Sequence, residues 1–393
     1  MQTVSLMTRC ALLGLAGLFM NGCSMLSSQQ VIPTQQVKET PAKSLNALTG
    51  KHQVQPKLAW SKNLETRHFG NIKLRPSING SHIIAAGQRS VSAWNLQTGQ
   101  LSWTETLGQT ITAGVSGSNG TTYVGTANGS AIALDSKTGK TRWINLLKNK
   151  VIAISEEKNG NVVFRTVNGN IHTLSTANGA LAWQASQRTP ALSLHGSSTP
   201  ILAGPYVVTG FDNGSLVSHD IKTGKQVWSI QLGTQSDATE LSAIKDIDAE
   251  LKTIGAILFA SSYQGNLVGI DMRTGKVGWS RKFSSYSGID ASKKDLFITE
   301  DTGKVWKFNA LTGAPVWEND DLLRRKPTAP IITSPNHFVV ADSLGYLHWY
   351  NRASGKLVGR IQGDRSGYNV APVKYDNMLY TLSKRGVLSA YTL

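Results

Sequence analysis

The stretch Ala131-Ile-Ala-Leu-Asp-Ser-Lys-Thr-Gly-Lys-Thr-Arg-Trp143 contains a predicted β-strand, a turn built on Thr138-Gly139 and a second strand that ends in tryptophan. The apolar residues at the start favour a buried strand, and a glycine at position 139 supplies the left-handed conformation that a tight turn needs. The same arrangement recurs along the chain. A repeat of this kind determines the architecture before any other signal, so the sequence predicts a protein built from repeated β-hairpins.

The first strand of the repeat has eight copies, at 89–95, 129–135, 169–175, 214–220, 265–271, 303–309, 345–351 and 386–392. Seven copies are followed by a turn pair that ends in glycine, and in six of these a tryptophan stands four residues after the glycine. Gly359 takes that position in the seventh. An indole that recurs at one register is predicted to pack between neighbouring sheets. With Trp60 near the N-terminus, the structural tryptophans are Trp60, Trp103, Trp143, Trp183, Trp228, Trp279 and Trp317.

The eighth copy has no second strand, because the chain reaches Leu393, but Leu58-Ala-Trp60 carries the same pattern near the other end. Pairing this N-terminal strand with the C-terminal blade closes the ring and removes the open sheet edges. Tryptophan spacings of about 40 residues fit blades of four strands. The sequence therefore predicts an all-β, eight-bladed β-propeller of four-stranded antiparallel blades over 53–393. The two longest spacings, 45 and 51 residues, indicate long loops around 184–200 and 233–252.

The N-terminus predicts secretion. Arg9 precedes an apolar run from 11 to 20, which is typical of a secretory signal and is too short to span a bilayer stably. The following Asn21-Gly22-Cys23 resembles the bacterial lipobox, which implies that 1–22 is removed and that Cys23 is lipidated and holds the protein on a membrane. An ordinary signal peptide cleaved elsewhere is the alternative. Residues 23–52 are rich in Ser, Gln, Thr, Pro and Lys, a composition that predicts a flexible tether.

The chain is strongly basic, with 40 Lys and Arg against 24 Asp and Glu. Such a charge favours anionic partners or surfaces. Outside the cytoplasm it argues against nucleic acid and for acidic proteins or anionic lipids, although a solvated basic exterior without a specific partner is the more frequent meaning of such a charge balance.

The pattern Asp-x-x-Thr-Gly-x-x-x-Trp resembles the quinoprotein (PQQ) propeller repeat over 58–393. Within that superfamily the chain resembles the BamB family, the lipoproteins of the outer membrane β-barrel assembly machinery, on four segments and the lipobox. These segments are 191–200, 239–248, 320–324 and 342–349. The resemblance implies a scaffold without enzymatic activity or cofactor, lipid-anchored on the periplasmic face of the outer membrane. It also implies a monomer within a hetero-oligomeric complex that assists folding and insertion of outer membrane proteins, with unfolded outer membrane proteins as further partners.

In that family the two long loops bind the POTRA domains of BamA. The matching positions here are Leu192, Leu194 and His195 in the first loop, and Asp246 and Asp248 in the second. His195 stands where the family has arginine, so a charge-assisted bond from it would depend on pH. Residues two apart share a face in extended chain, so each pair could serve a partner. The leucines could instead tuck the loop onto its own blade, and the carboxylates could belong to a solvated loop or a cap.

Other chemistry is not indicated. The eight histidines show no metal-ligand spacing, and His172, His219 and His348 recur in the same strand of three blades, which predicts core packing. No Gly-x-Ser-x-Gly elbow, Walker loop or Rossmann fingerprint occurs. A PQQ-dependent periplasmic dehydrogenase shares the repeat and remains an alternative, although the adjacent cysteine pair typical of that family has no counterpart here. A propeller that binds polysaccharide or the cell wall is a second alternative.

Overall fold

The computed structural model describes residues 40–46, 54–64, 72–188, 198–232, 247 and 249–393. From Pro41 to Leu393 they belong to one compact unit. All thirty-two regular elements of the described residues are β-strands, and they form eight four-stranded antiparallel sheets. The eight-bladed propeller predicted from the repeat is therefore confirmed.

The first strand along the chain, β1 (Lys57–Asn63), belongs to the last blade. Blade 1 comprises β2 (Ser77–Asn79), β3 (His82–Ala86), β4 (Ser90–Asn95) and β5 (Leu101–Thr106), and blade 2 comprises β6 (Ile111–Ser118), β7 (Thr121–Thr126), β8 (Ser130–Asp135) and β9 (Thr141–Leu146). Blade 3 comprises β10 (Val151–Ile154), β11 (Asn161–Thr166), β12 (Asn170–Ser175) and β13 (Leu181–Ser186), and blade 4 comprises β14 (Ile201–Ala203), β15 (Tyr206–Gly210), β16 (Ser215–Asp220) and β17 (Gln226–Gln231).

The remaining blades repeat this order. Blade 5 comprises β18 (Lys252–Ile254), β19 (Ile257–Ser261), β20 (Asn266–Asp271) and β21 (Val277–Lys282), and blade 6 comprises β22 (Ile289–Ser292), β23 (Asp295–Thr299), β24 (Val305–Asn309) and β25 (Pro315–Asn319). Blade 7 comprises β26 (Ile331–Ile332), β27 (His337–Ala341), β28 (Tyr346–Asn351) and β29 (Leu357–Gln362), and blade 8 comprises β30 (Val373–Tyr375), β31 (Met378–Leu382), β32 (Val387–Thr392) and the returning β1.

The conformation of the turn between the third and fourth strands of a blade is explained by the residues of its sequence. In blade 2 the Asp135 Oδ1 atom accepts the amide hydrogens of Lys137 and Thr138, at 3.0 and 2.9 Å. Gly139 then takes a φ of 74°, and the pairing of β8 with β9 shifts register between Ala133 and Leu134. The carboxylate thus satisfies turn amides while the glycine allows the reversal.

The tryptophans join neighbouring blades. The indole Nε1 atom of each donates to a main-chain carbonyl of the next blade, at 2.8 to 3.2 Å. The turn glycine of that next blade lies against the ring: a Cβ on Gly139 would stand 2.5 Å from the Cε3 atom of Trp103. We call each such tryptophan, with the glycine it covers, an inter-blade lock. The seven locks begin at Trp60, Trp103, Trp143, Trp183, Trp228, Trp279 and Trp317.

The ring closes between the chain's two ends. Strand β1 pairs antiparallel with β32, from Lys57 opposite Thr392 to Asn63 opposite Val387, as the sequence predicted. Blade 7 lacks a lock because Gly359 replaces the tryptophan. A Cβ on Gly359 would stand 2.6 Å from the carbonyl oxygen of Val54, so the chain just before β1 occupies the space over this strand.

Candidate functional site: the base of the two long loops

The two long loops leave the propeller on the same side, each running from the outer strand of one blade to the inner strand of the next. The first connects β13 with β14 and the second connects β17 with β18. The residues predicted to meet a partner, Leu192, Leu194, His195, Asp246 and Asp248, lie outside the described residues, as does Cys23. The described residues do show how the ends of both loops are held.

One turn of blade 4 holds both loops. It spans 211–214, between β15 and β16. The Nδ2 atom of Asn213 donates to the carbonyl of Arg188 at the start of the first loop, at 3.2 Å. The turn's glycine carbonyl accepts the amide of Leu232 at the start of the second, at 2.9 Å, and the carbonyl of Phe211 accepts the amide of Ile247 near its end, at 3.4 Å. The positions of the two loop bases are therefore coupled through four consecutive residues.

Ile247 is the apolar anchor of the second loop. Its side chain is buried and packs in the cluster between blades 4 and 5. It covers Gly210, where a Cβ would stand 2.5 Å from the Cγ2 atom of Ile247 and 3.3 Å from the Oγ atom of Ser198. Ser198 lies near the end of the first loop, so one residue from each loop packs against Gly210. In the chain, Ile247 stands between the two aspartates of the prediction.

A buried ion pair lies beneath this turn. Arg165 on β11 of blade 3 pairs with Asp212 in the turn of blade 4, and both side chains are only 1% exposed. The guanidinium carbon also lies 5.3 Å from the ring centroid of Phe211. A buried ion pair is stable only when its geometry and hydrogen bonds offset the cost of removing both charges from water. This ion pair joins blades 3 and 4 beneath the loop bases. Sequence reasoning missed it, although an arginine directly after the apolar run Val162-Val163-Phe164 was an available signal.

The second loop is also tied to the far side of the central channel. The innermost strands line a channel of about 1630 Å³. Arg75, between β1 and β2, reaches Glu250 at the end of the second loop, with 3.2 Å between its Nη1 atom and the Oε2 atom. Its Nη2 atom donates to the carbonyl of Pro372 in the run into blade 8, at 3.0 Å. The loop end is thus fixed by blade 4 on one side and by Arg75 on the other.

The three recurring histidines lie inside their blades, as predicted. Burial lowers the pKa of His219 to about 4 and the pKa of His172 below its ordinary value. Among the residues that the structure describes, no three His, Cys, Asp or Glu side chains are grouped as metal ligands would be. No helix in this part of the chain is long and apolar enough to cross a membrane.

Together the fold and the loop base define a PQQ-type β-propeller whose two longest loops share one support. The family model described as outer membrane protein assembly factor BamB matches residues 87–319. The chain belongs to this family.

Several curated relatives carry that description. The assembly factor BamB of Alkalilimnicola ehrlichii is 34% identical over 204 residues, which are 52% of this chain and 53% of that protein. The Pseudomonas aeruginosa relative is 32% identical over 204 residues, with the same coverage of both chains. That of Escherichia coli K12 is 31% identical over 203 residues, 52% of either chain. The chain thus spans about half the length of the curated relatives it matches.

Solved structures share the whole propeller. The crystal structure of BamB from Moraxella catarrhalis superimposes with a TM-score of 0.79 at 27% identity, covering 86% of this chain and 100% of that one. Quinohemoprotein alcohol dehydrogenase from Comamonas testosteroni has a TM-score of 0.69 at 14% identity, covering 86% of this chain and 76% of that one. At that identity the likeness to the dehydrogenase shows the fold alone.

Proposed function

We propose that this protein is a non-catalytic scaffold lipoprotein of the outer membrane β-barrel assembly complex, and that it assists the folding and insertion of outer membrane proteins. The observation that carries the proposal is membership of the BamB family, whose relatives are named as outer membrane protein assembly factors. A scaffold role is supported by the seven inter-blade locks of the described residues, which join the blades into one ring, and by the length of the two connections β13–β14 and β17–β18 in the sequence.

The proposed partner surface consists of Leu192, Leu194 and His195 in the first loop with Asp246 and Asp248 in the second, and the proposed partner is the POTRA domains of BamA. The shared turn of blade 4 supports this pairing, since it holds the bases of both loops together. The two aspartates would form a negatively charged patch on a chain of net charge +16. Such a difference in charge orients a complex more than it increases its affinity.

The proposed anchor is Cys23, lipidated after removal of 1–22, with the propeller on the periplasmic face of the outer membrane. In this arrangement the chain acts as a monomer inside a hetero-oligomeric complex. Unfolded outer membrane proteins are a further proposed partner.

Affinity purification from detergent-solubilised outer membranes tests the partner. We expect a POTRA-bearing barrel protein to co-purify with the wild-type chain. Leu192→Asp and Asp246→Arg each place a charge of the wrong sign on the proposed surface. Because loss of an interface hot spot costs about 2 kcal/mol, each variant should bind the barrel protein roughly 30-fold more weakly. Both variants should keep the wild-type circular dichroism spectrum.

Two matched controls carry the same chemical changes on outer strands. Leu146→Asp alters an exposed leucine of blade 2, and Glu105→Arg alters a carboxylate on β5 of blade 1. Both should retain full capture. Absence of the barrel protein from the wild-type eluate would refute the assembly role, and unchanged capture by both loop variants would refute the surface. Stoichiometric binding of pyrroloquinoline quinone, followed by absorbance, would contradict a role without cofactor.

A further inference from the structure

Residues Pro41–Asn46 lie along blades 6 and 7, and three arginines hold their main chain. The Nε atom of Arg324 donates to the carbonyl of Pro41 at 2.8 Å. The Nη1 atom of Arg325 donates to the carbonyl of Lys43 at 3.2 Å, and the Nη1 atom of Arg360 donates to that of Asn46 at 2.8 Å. Hydrogen bonds from charged donors are the stronger kind, and here they recognise the backbone of the segment at both ends and in the middle.

Two side chains of the segment add specificity. The Nζ atom of Lys43 lies 2.8 Å from the Oδ1 atom of Asp320, and the Lys43 amide donates to the carbonyl of Leu323 at 3.0 Å. Leu45 packs against the apolar cluster shared by blades 6 and 7, which contains Phe338. The segment is therefore bound by charge, main chain and apolar contact together.

The arginines are oriented by a buried network. The Nε atom of Arg325 lies 2.6 Å from the Oδ2 atom of Asp342, and the Nε2 atom of His348 lies 3.0 Å from the same oxygen. The Nε atom of Arg360 donates to the Nδ1 atom of His348 at 3.2 Å. Asp342 and His348 are fully buried. Because these groups fix two of the three guanidiniums, the site for the segment is built into blade 7.

We propose that blades 6 and 7 form a binding site for the chain's own segment Pro41–Asn46, which is a docked strap that sets where the chain leaves the propeller towards Cys23. The second part rests on the proposed lipid anchor. Pro41 stands 18 positions after Cys23, and Val54, which packs on blade 7 independently of the strap, stands 31 positions after it. At about 3.4 Å per extended residue, docking shortens the longest reach of the anchor from about 105 Å to about 60 Å.

The place where the strap leaves the ring is determined by Arg324, which holds Pro41. Arg324 lies in the connection from β25 of blade 6 to β26 of blade 7. This connection joins an outer strand to the inner strand of the next blade, as both long loops do, so it lies on the same face of the ring, two blade junctions beyond the second loop. An anchor attached there would leave the propeller beside the proposed partner surface.

Electron paramagnetic resonance between two spin labels tests the strap in the full-length chain. Cys10 and Cys23 are replaced by serine, and labels are attached at Ser44→Cys and Lys282→Cys, both exposed positions. We expect one narrow distance distribution. Arg324→Ala combined with Arg360→Ala should abolish the narrow peak. Arg142→Ala, which removes an ion pair of 2.6 Å in blade 2, should leave it intact.

A charge exchange separates docking from general unfolding. Lys43→Glu opposes Asp320 and should abolish the narrow peak, and adding Asp320→Lys should restore it. A broad distribution in the wild-type chain, or a narrow peak that survives loss of both arginines, would overturn the strap. Since the labelled chain carries no acyl group, lipidation is measured separately, by the mass of Cys23 peptides from the membrane fraction. A docked strap with unacylated Cys23 would overturn the anchor alone.

Discussion

Gly359 stands on β29 where the other seven blades carry a tryptophan, and it allows a direct test of how the ring is closed. We predict that Gly359→Ala destabilises the propeller, although replacing a strand glycine by alanine does not usually lower stability. The added Cβ would stand 2.6 Å from the carbonyl oxygen of Val54 and 3.2 Å from its Cβ atom. Val54 packs in the cluster of blades 7 and 8 with Tyr391, so it cannot move without loosening that junction.

The magnitude follows from two opposing effects. Overpacking of a close contact costs about 1–3 kcal/mol, while loss of glycine freedom in the unfolded chain returns about 0.4–1 kcal/mol. The middle of these two ranges gives a net loss of about 1–2 kcal/mol. An unfolding entropy of about 2.1 cal/mol/K per residue gives roughly 0.7 kcal/mol/K for the propeller. The melting temperature should therefore fall by about 1.5–3 °C, and further for Gly359→Trp, which restores the residue of the repeat but must displace Val54.

Differential scanning calorimetry measures the effect, and Gly278→Ala is the matched control. Gly278 is exposed on β21 of blade 5, where a Cβ would meet only the carbonyl oxygen of Gly269, at 3.5 Å. This variant should melt at the wild-type temperature or up to about 1.5 °C above it. If Gly359→Ala melts no lower than Gly278→Ala, Val54 does not fill the position and the explanation of the missing tryptophan is wrong.

Three other substitutions probe the loop base, the core and the locks. Gly210→Val crowds Ile247 and should weaken capture of the proposed partner in the pull-down assay more than an exposed-strand control such as Leu146→Asp does. The buried His219 has its pKa lowered to about 4, so below pH 6.5 only the unfolded chain takes up its proton, and stability falls as the pH drops towards 4. His219→Leu should remove about 2 kcal/mol of this loss between pH 7.5 and pH 5. If the midpoint of urea unfolding depends on pH in the same way in the wild-type and variant proteins, the assignment to His219 is contradicted. Trp143→Ala removes a lock and its bond to Thr176, and should lower stability by about 3–5 kcal/mol in urea unfolding.

The propeller was predictable because each repeat shows the same requirement. A tryptophan must cover the glycine of the next blade, so both residues recur at a constant spacing in the sequence. The predicted strand 129–135 is β8, which begins at Ser130, and the predicted strand 303–309 is β24, which begins at Val305. Ring closure followed from counting, since the strand missing after the eighth copy has the pattern around Trp60.

The loop base was not predictable from local pattern. Arg165 and Asp212 are 47 residues apart, and the turn at 211–214 has the sequence of an ordinary hairpin. Its second role depends on which loops run past it. The strap shows the same limit: composition predicted a flexible tether over 23–52, whereas residues 41–46 are held by arginines about 280 to 314 positions further on. Local composition reports what a segment can bury by itself, and contacts supplied by remote residues leave no trace in it.

The locks explain why a strap at one blade junction can matter to loops at other junctions. Each of the seven locks combines a hydrogen bond between blades with an indole packed on a turn glycine, so rotation of one blade against the next would break both. A strap docked on blade 7 and a loop base on blade 4 therefore keep a constant relation to each other. With the strap released, the ring would be joined to its proposed anchor only through β1, at the end of a longer chain, and the direction of the loops would no longer be determined. The regular repeat thus supplies rigidity, and the departures from it carry the proposed attachment and the proposed recognition.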